Sequence, residues 1–466
     1  MTKLVRGLLV ILIGTAIWLM PIPAGLKPAA WQLFAIFVAT IAAFILQPLP
    51  IGAIAFISVT FTTLIGVLKP AEALSGFSNG TIWLIVSAFL FAKGFIKTGL
   101  GKRIAYVLIR FMGDSTLKLG YTLALSDLII APATPSNTAR AGGIIFPIVK
   151  SLASAFDSEP GPSSRRVGSY LVQTAYQNNT ITSAMFMTAM AGNPLIALLA
   201  QQTLNIQISW GLWALAAIVP GLLSLLIIPY FLYKVYPPEV TRTPEAKLLA
   251  ITELKKMGVM SREEKIVAAV FVGSLILWST ATITKLDATV VAMLAVSIML
   301  LTSVLTWKDV LEEQGAWDTL IWMGVLIGLA DFLLKLGFIP WFAQSIGNMM
   351  IGIPWLYALM ILLVVYMYAH YGFASLVAHI TAMYAAFASV AVSAGAPAYL
   401  VALAFAFMSN LCMSLTHYAA GPAPILFGSG YVDQGTWWKL GFYVSVINIL
   451  IWVGIGSLWW KVLGLW

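Results

Sequence analysis

The chain has 466 residues, 61% of them hydrophobic and 9% charged, with a mean hydropathy of +0.94. Soluble domains carry about 25% charged residues, so the composition excludes a soluble domain and indicates a polytopic membrane protein. The excess charge of +9 lies mostly in loops, where it reports membrane orientation rather than nucleic-acid affinity. The single cysteine, Cys412, leaves no internal disulfide.

About 20 apolar residues span a bilayer core, and residues 5–22 form the first such run. Pro21 and Pro23 end it without a small-residue cleavage site, which favours a first span over a signal peptide. No Ser/Arg-rich transit segment precedes it, which disfavours an organelle-targeted precursor. Spans are predicted at 30–46, 50–68 and 81–98, the last interrupted by Lys93 and Lys97. A basic stretch (Lys102, Arg103, Arg110, Lys118) leads into a broken segment, 119–153. A second, 168–204, is interrupted by Gln177-Asn178-Asn179-Thr180 and again by Gly192-Asn193-Pro194, and a span follows at 209–233. The hydrophilic stretch 234–265 reads as a cytoplasmic amphipathic linker lying on the membrane. It separates a first half, 1–233, from a second, 266–466. There, spans are predicted at 266–284, 287–306 and 318–338. Broken segments cover 354–394 and 397–430, the latter interrupted near Gly421-Pro422, and a Trp-flanked span runs through 438–461.

The stretch APATPSNTARAGGIIFP, residues 131–147, breaks every rule for a plain spanning helix. Pro132, Pro135 and Pro147 remove backbone donors, Gly142-Gly143 loosens the chain, and Ser136-Asn137-Thr138 sets three polar side chains in a row. Such backbone survives at membrane depth only where protein or a water-filled cavity surrounds it. It reads as two short helices meeting at a polar tip, the second presenting free N–H groups and a positive dipole end to an anion. The Lys/Arg pattern supports a re-entrant segment. With the N-terminus inside, the loops at 97–118, 150–166 and 234–265 then all lie on the cytoplasmic face. The layout is therefore about eleven transmembrane helices plus two re-entrant hairpins, all α.

The halves are weakly self-similar, the feature to seek first in a transporter. At one offset Thr81 meets Thr319, Ala92 meets Ala330, Lys97 meets Lys335 and Gly99 meets Gly337. Within one residue the same offset carries Ser136 onto Ala374 or Ser375, and Gly192-Asn193-Pro194 has its analogue near Ala420-Gly421-Pro422. An odd number of spans per half inverts the second repeat, so the hairpin tips face each other near the midplane and suggest alternating access.

These residues resemble the divalent anion–sodium symporter family, whose mark is a Ser-Asn-Thr motif at each of two hairpin tips. The likeness covers the whole chain in layout. It is sharpest at TPSNTARAGGIIFPI, at LTHYAAGPAPILFGSGY and at YAHYGFAS with its following AH and AMYAAF. Those forms are similar to the bacterial citrate, succinate, tartrate and 2-oxoglutarate/malate antiporter branch. The second motif departs from the family, reading Ser375-Leu376-Val377. In sodium-coupled members, hairpin oxygens and broken-helix carbonyls hold sodium beside the substrate. Here two of those oxygens are missing, while Arg140 lies one turn beyond Ser136 and His379 one turn beyond Ser375. Fixed or titratable cations in place of sodium favour exchange of one anion for another. The resemblance also implies elevator-like motion and a homodimer.

The expected substrate-binding residues are Ser136, Asn137, Thr138 and Ser375 at the tips, with Gly192, Asn193, Pro194, Ala420, Gly421 and Pro422 at the breaks. Ser136 or Asn137 also suits a helix N-cap, and the Gly-Pro breaks are either unwound or simply kinked. Arg140 balances substrate charge or pairs with Asp127; His379 and His417 either balance charge or pack. His370 and His379 have no third ligand in view, so neither a metal nor another cofactor is expected. Asp331 and Lys335, four apart, suit an intrahelical pair. Buried carboxylates are scarce, which suggests an anionic substrate over a pumped cation. Four readings follow: exchange of di- or tricarboxylates across the plasma membrane, a sodium-coupled symporter, an anion channel, and a membrane enzyme, for which no nucleophile–base set appears.

Overall fold

A computed structural model describes residues 2–349 and 354–466; residues 350–353, in the second half, lie outside the described residues. The described chain is helical, with one isolated antiparallel bridge, Ser115 to Arg242. Among the described residues seven helices are long and apolar enough to cross a bilayer, and Ile51–Leu64, Ala288–Leu301 and Ala398–Ser414 are shorter apolar ones.

The halves repeat one sequence of elements. In the first, Gly80–Thr98 is followed by the amphipathic Leu100–Met112, then by a hairpin whose arms are Thr116–Ile130 and the helix that begins at Asn137 and ends at Ala155. In the second, Gln314–Lys335 is followed by Phe338–Met349, and the hairpin arms are Trp355–Ala369 and the helix from Leu376 to Ser393. Each first arm ends in a 3-10 turn (Ala131–Ala133, His370–Gly372). Each second arm starts on a serine cap and bulges into a π-turn, Arg140–Ile145 and Ile380–Tyr384. A broken helix and a long helix then follow in each half, the latter being Trp210–Val235 in the first and the stretch from Gln434 to Val462 in the second.

Two expectations change. The run Gln177-Asn178-Asn179-Thr180 does not interrupt its helix, which continues unbroken over Gly168–Met185. The side chains are absorbed by neighbours instead. Asn178 donates to the Gly120 carbonyl at 3.3 Å, Asn179 to Asp127 at 3.3 Å, and Gln177 to the Ser414 carbonyl at 3.3 Å. Asp331 accepts from Gln202, and Lys335 instead lies 4.7 Å from the Phe332 ring centroid, so the intrahelical pair is not formed. Lys93 and Lys97 are paired with Glu313 at 3.3 Å and Asp309 at 2.6 Å, which accounts for charges in an apolar helix.

Helices in lipid associate through close packing rather than water exclusion. Gly76 shows this: a Cβ there would overlap the Gly324 carbonyl and sit 2.6 Å from the Gly328 nitrogen, so the turn Ser75–Ser78 lies directly on helix Gln314–Lys335. The linker holds the foot of the first hairpin. Thr116 N–H donates to the Thr241 carbonyl at 3.1 Å, Thr243 N–H to Asp114 at 3.0 Å, and Val240 N–H to Arg166 at 2.9 Å.

Candidate functional site

The first tip is built by its own short-range chemistry. Pro132 and Pro135 stop the first arm, and Ser136 Oγ accepts from Ala139 N–H at 3.1 Å, starting the second arm. Ser136 is therefore the N-cap. Among the described residues Asn137 donates only to the Met413 thioether, at 3.4 Å, a weak acceptor that a carboxylate would readily replace. At the second tip Ser375 Oγ accepts from Ala378 N–H at 3.4 Å, and the next two residues, Leu376 and Val377, bring no side-chain oxygen.

Both broken helices open beside these tips. In the first half the interruption runs from Phe186 to Ala191, and Gly192 already begins the helix Gly192–Leu204. The unwound residues thus precede Gly192-Asn193-Pro194. Asn193 serves the break without facing the tips: its amide donates to the carbonyls of Ser183 at 2.8 Å and Phe186 at 2.9 Å. Its oxygen accepts from Asn410 of the other broken helix at 2.7 Å. In the second half helix Ala398–Leu411 gives way at Cys412–Ser414, and helix Pro422–Phe427 resumes after Gly421.

The four features meet in one cavity of about 300 Å³. Ser136, Asn137 and Thr138 line it from the first tip, Ser375, Leu376 and Val377 from the second, and Met190-Ala191 and Ala420-Gly421 from the breaks. Gln47, Ile51 and Phe89 close the remaining side. Gly192, Asn193, Pro194 and Pro422 stand just behind this lining. No residue lining the cavity carries a charge. Its electrostatics come from helix amino ends: the arms that start at Asn137 and Leu376, and helix Gly192–Leu204, all begin at its wall. Each such end contributes about 0.3–1 kcal/mol to a bound anion when exposed, and up to about 2 kcal/mol when partly buried.

None of the three expected charge-balancing residues lines the cavity. Arg140 is fully buried and every arm of its guanidinium is engaged. Nε pairs with Asp127 at 2.9 Å, Nη1 donates to the Thr134 and Ala189 carbonyls at 2.8 and 2.9 Å, and Nη2 to Ser183 Oγ at 2.9 Å. It thereby ties the first arm, the tip, the broken helix and its unwound stretch together. His417 accepts from Trp438 Nε1 at 3.0 Å and lies against Phe427. His379 is buried between Tyr366 and Phe373, 2.9 Å from His370 through their Nδ1 atoms. Cys412 stands 3.7 Å from the same His379 nitrogen. The third ligand that the sequence does not reveal is therefore present, brought in from the other broken helix.

A model of the sodium:sulfate symporter transmembrane region matches residues 1–466. The chain is 52% identical over 465 residues to "Putative malate transporter YflS" of Bacillus subtilis, covering 100% of this chain and 97% of that one. It is 48% identical over 456 residues to "Dicarboxylate transporter 1, chloroplastic" of Arabidopsis thaliana, covering 97% and 82%. It is 41% identical over 463 residues to "Inner membrane protein YbhI" of Escherichia coli, covering 98% and 97%. Among solved structures, the YdaH transporter of Alcanivorax borkumensis superposes with a TM-score of 0.61 at 11% identity, over 98% of this chain and 97% of that one. That likeness concerns the fold alone.

Proposed function

This chain belongs to the family of the sodium:sulfate symporter transmembrane region, and on that premise we propose that it exchanges di- and tricarboxylates such as malate and 2-oxoglutarate across the plasma membrane without sodium. That it is a membrane transporter of a dicarboxylate-carrying family, and not an enzyme, follows from its relatives. The observation that carries the finer reading is the single uncharged cavity bounded by both tips and both breaks. Its volume suits a small organic anion, at the lower end of the range for small-molecule sites.

One carboxylate binds Ser136, Asn137 and Thr138, and another faces Ser375 and the second arm. The helix amino ends supply the balancing positive potential, while Arg140 holds the first tip in shape and His379 and His417 pack the second half. An empty site leaves those dipole ends uncompensated against Ile51 and Phe89; a loaded one does not. Only the loaded site then crosses, by an elevator-like movement of the hairpins and broken helices against the remaining helices, which form a homodimer. The N-terminus lies in the cytoplasm.

The family description and the intact Ser136-Asn137-Thr138 triplet support a second reading, sodium symport. Leu376 and Val377 weigh against it, because they replace side-chain oxygens at the second tip. Proteoliposomes loaded with malate should take up labelled 2-oxoglutarate in sodium-free medium. Uptake that appears only with an inward sodium gradient contradicts the proposal, and non-saturable flux would indicate a channel. Asn137→Ala should weaken apparent affinity about 10–100-fold, the loss of one hydrogen bond to a charged group, about 1.5–3 kcal/mol. Its melting temperature should change little, because the amide's partner is only a thioether.

A further inference from the structure

The geometry points to a site for a soft monovalent d10 cation, of the Cu(I) or Ag(I) class, formed by His370, His379 and Cys412. It goes beyond the transported substrate, and its binding test does not depend on transport. The three residues come from the first arm of the second hairpin, its second arm and the second broken helix. All are fully buried, and one ligand atom from each lies within 4.8 Å of the others.

The proton inventory is compatible with a ligand at this place, the Cys412 thiol meanwhile donating to the Ser409 carbonyl at 3.4 Å. His370 Nε2 faces the Ala419 carbonyl at 2.9 Å and must therefore carry its proton there, leaving a lone pair on Nδ1. A carbonyl partner of this kind is what orients a metal-bound imidazole. Without an ion, His379 Nδ1–H donates to that lone pair across 2.9 Å, and His379 Nε2 is left buried with no partner among the described residues. When an ion binds, the His379 proton moves to Nε2 and the Cys412 thiol releases its proton to solvent. Two neutral imidazoles and one thiolate then hold the ion.

Geometry and charge select the ion. The 3.7 Å from Cys412 Sγ to His379 Nδ1 is what ligands at about 2.3 Å and about 2.0–2.1 Å subtend at roughly 115–120°. The two imidazole nitrogens must open by several tenths of an ångström, and the remaining His370–Cys412 pair, within 4.8 Å, must close below about 4.4 Å, the sum of the two bond lengths. Three ligand atoms converge here among the described residues, whereas zinc favours four. A thiolate with a monovalent ion is neutral, whereas a divalent ion leaves one uncompensated charge in a buried site, which is costly. Thiolate ligands also favour Cu(I) among common metals. The bound ion joins both hairpin arms to the broken helix and so holds the second tip shut.

Silver(I) is an air-stable probe, and Cys412 is the only thiol in the chain. Titration of the purified full-length protein in chloride-free detergent solution should show one tight equivalent, a near-ultraviolet silver–thiolate absorption, and one proton released per ion. Cys412→Ala should abolish that equivalent. His370→Gln, which keeps a donor for Ala419, should weaken it about 100-fold through loss of chelation. If His370→Gln folds poorly, His379→Gln takes its place and should weaken the equivalent to a similar extent. The proposal is overturned by no tight equivalent in the wild type, by a tight equivalent surviving in Cys412→Ala, or by wild-type affinity in His370→Gln, which would mean a lone thiol. Zinc(II) displacing silver(I) would also overturn it.

Discussion

Arg140→Met should destabilise the folded protein by about 3–5 kcal/mol, because Asp127 is left buried with an uncompensated charge. Asp127 would retain hydrogen bonds from Asn179 and Thr182 but lose its only ion pair among the described residues. The Thr134 and Ala189 carbonyls and Ser183 would lose their common donor as well. The double variant Arg140→Met with Asp127→Leu should recover most of that stability, since replacing a buried pair by apolar groups is often nearly neutral. Chemical unfolding in detergent measures both. A single variant as stable as the wild type but unable to transport would instead place the guanidinium's role on the substrate.

Gly421→Ala should leave the protein folded and weaken apparent substrate affinity by about 10–100-fold. A Cβ at Gly421 would overlap Thr138 Oγ1 and stand 3.1 Å from Thr138 Cβ, so the first tip must withdraw from the second break. Overpacking of this kind costs about 1–3 kcal/mol, and about 1.4 kcal/mol corresponds to tenfold. Gly143→Ala is the control, because a Cβ there meets nothing within 4 Å, although it lies in the same hairpin. Concentration-dependent exchange in proteoliposomes compares them. Equal affinities in the two variants would mean that the Thr138–Gly421 approach does not shape the site.

The parts of the fold legible in the sequence are those set by local chemistry. Pro132, Pro135 and the Ser136 cap define the first tip, and Gly372 and the Ser375 cap the second. A repeated offset relates the halves. What stayed hidden depends on residues distant in the chain. Gln177 to Thr180 looked like a break because their partners, Gly120, Asp127 and Ser414, lie on other elements. Asp331 finds Gln202 from the first broken helix instead of its own helical neighbour Lys335. Arg140 near the tip suits either substrate charge or a pair with Asp127, and sequence spacing does not decide between them. The position of Arg140 one turn into the arm turns it away from the cavity, toward Asp127, Ser183 and Ala189. The approach of Cys412 to two histidines more than thirty residues away has no local signature at all.

The exchange claim is tested most directly by efflux. Vesicles preloaded with labelled malate are diluted into sodium-free buffer with or without unlabelled 2-oxoglutarate outside. Efflux should begin only when the external dicarboxylate is present and should saturate with its concentration. Equally fast efflux into dicarboxylate-free buffer would contradict obligatory exchange.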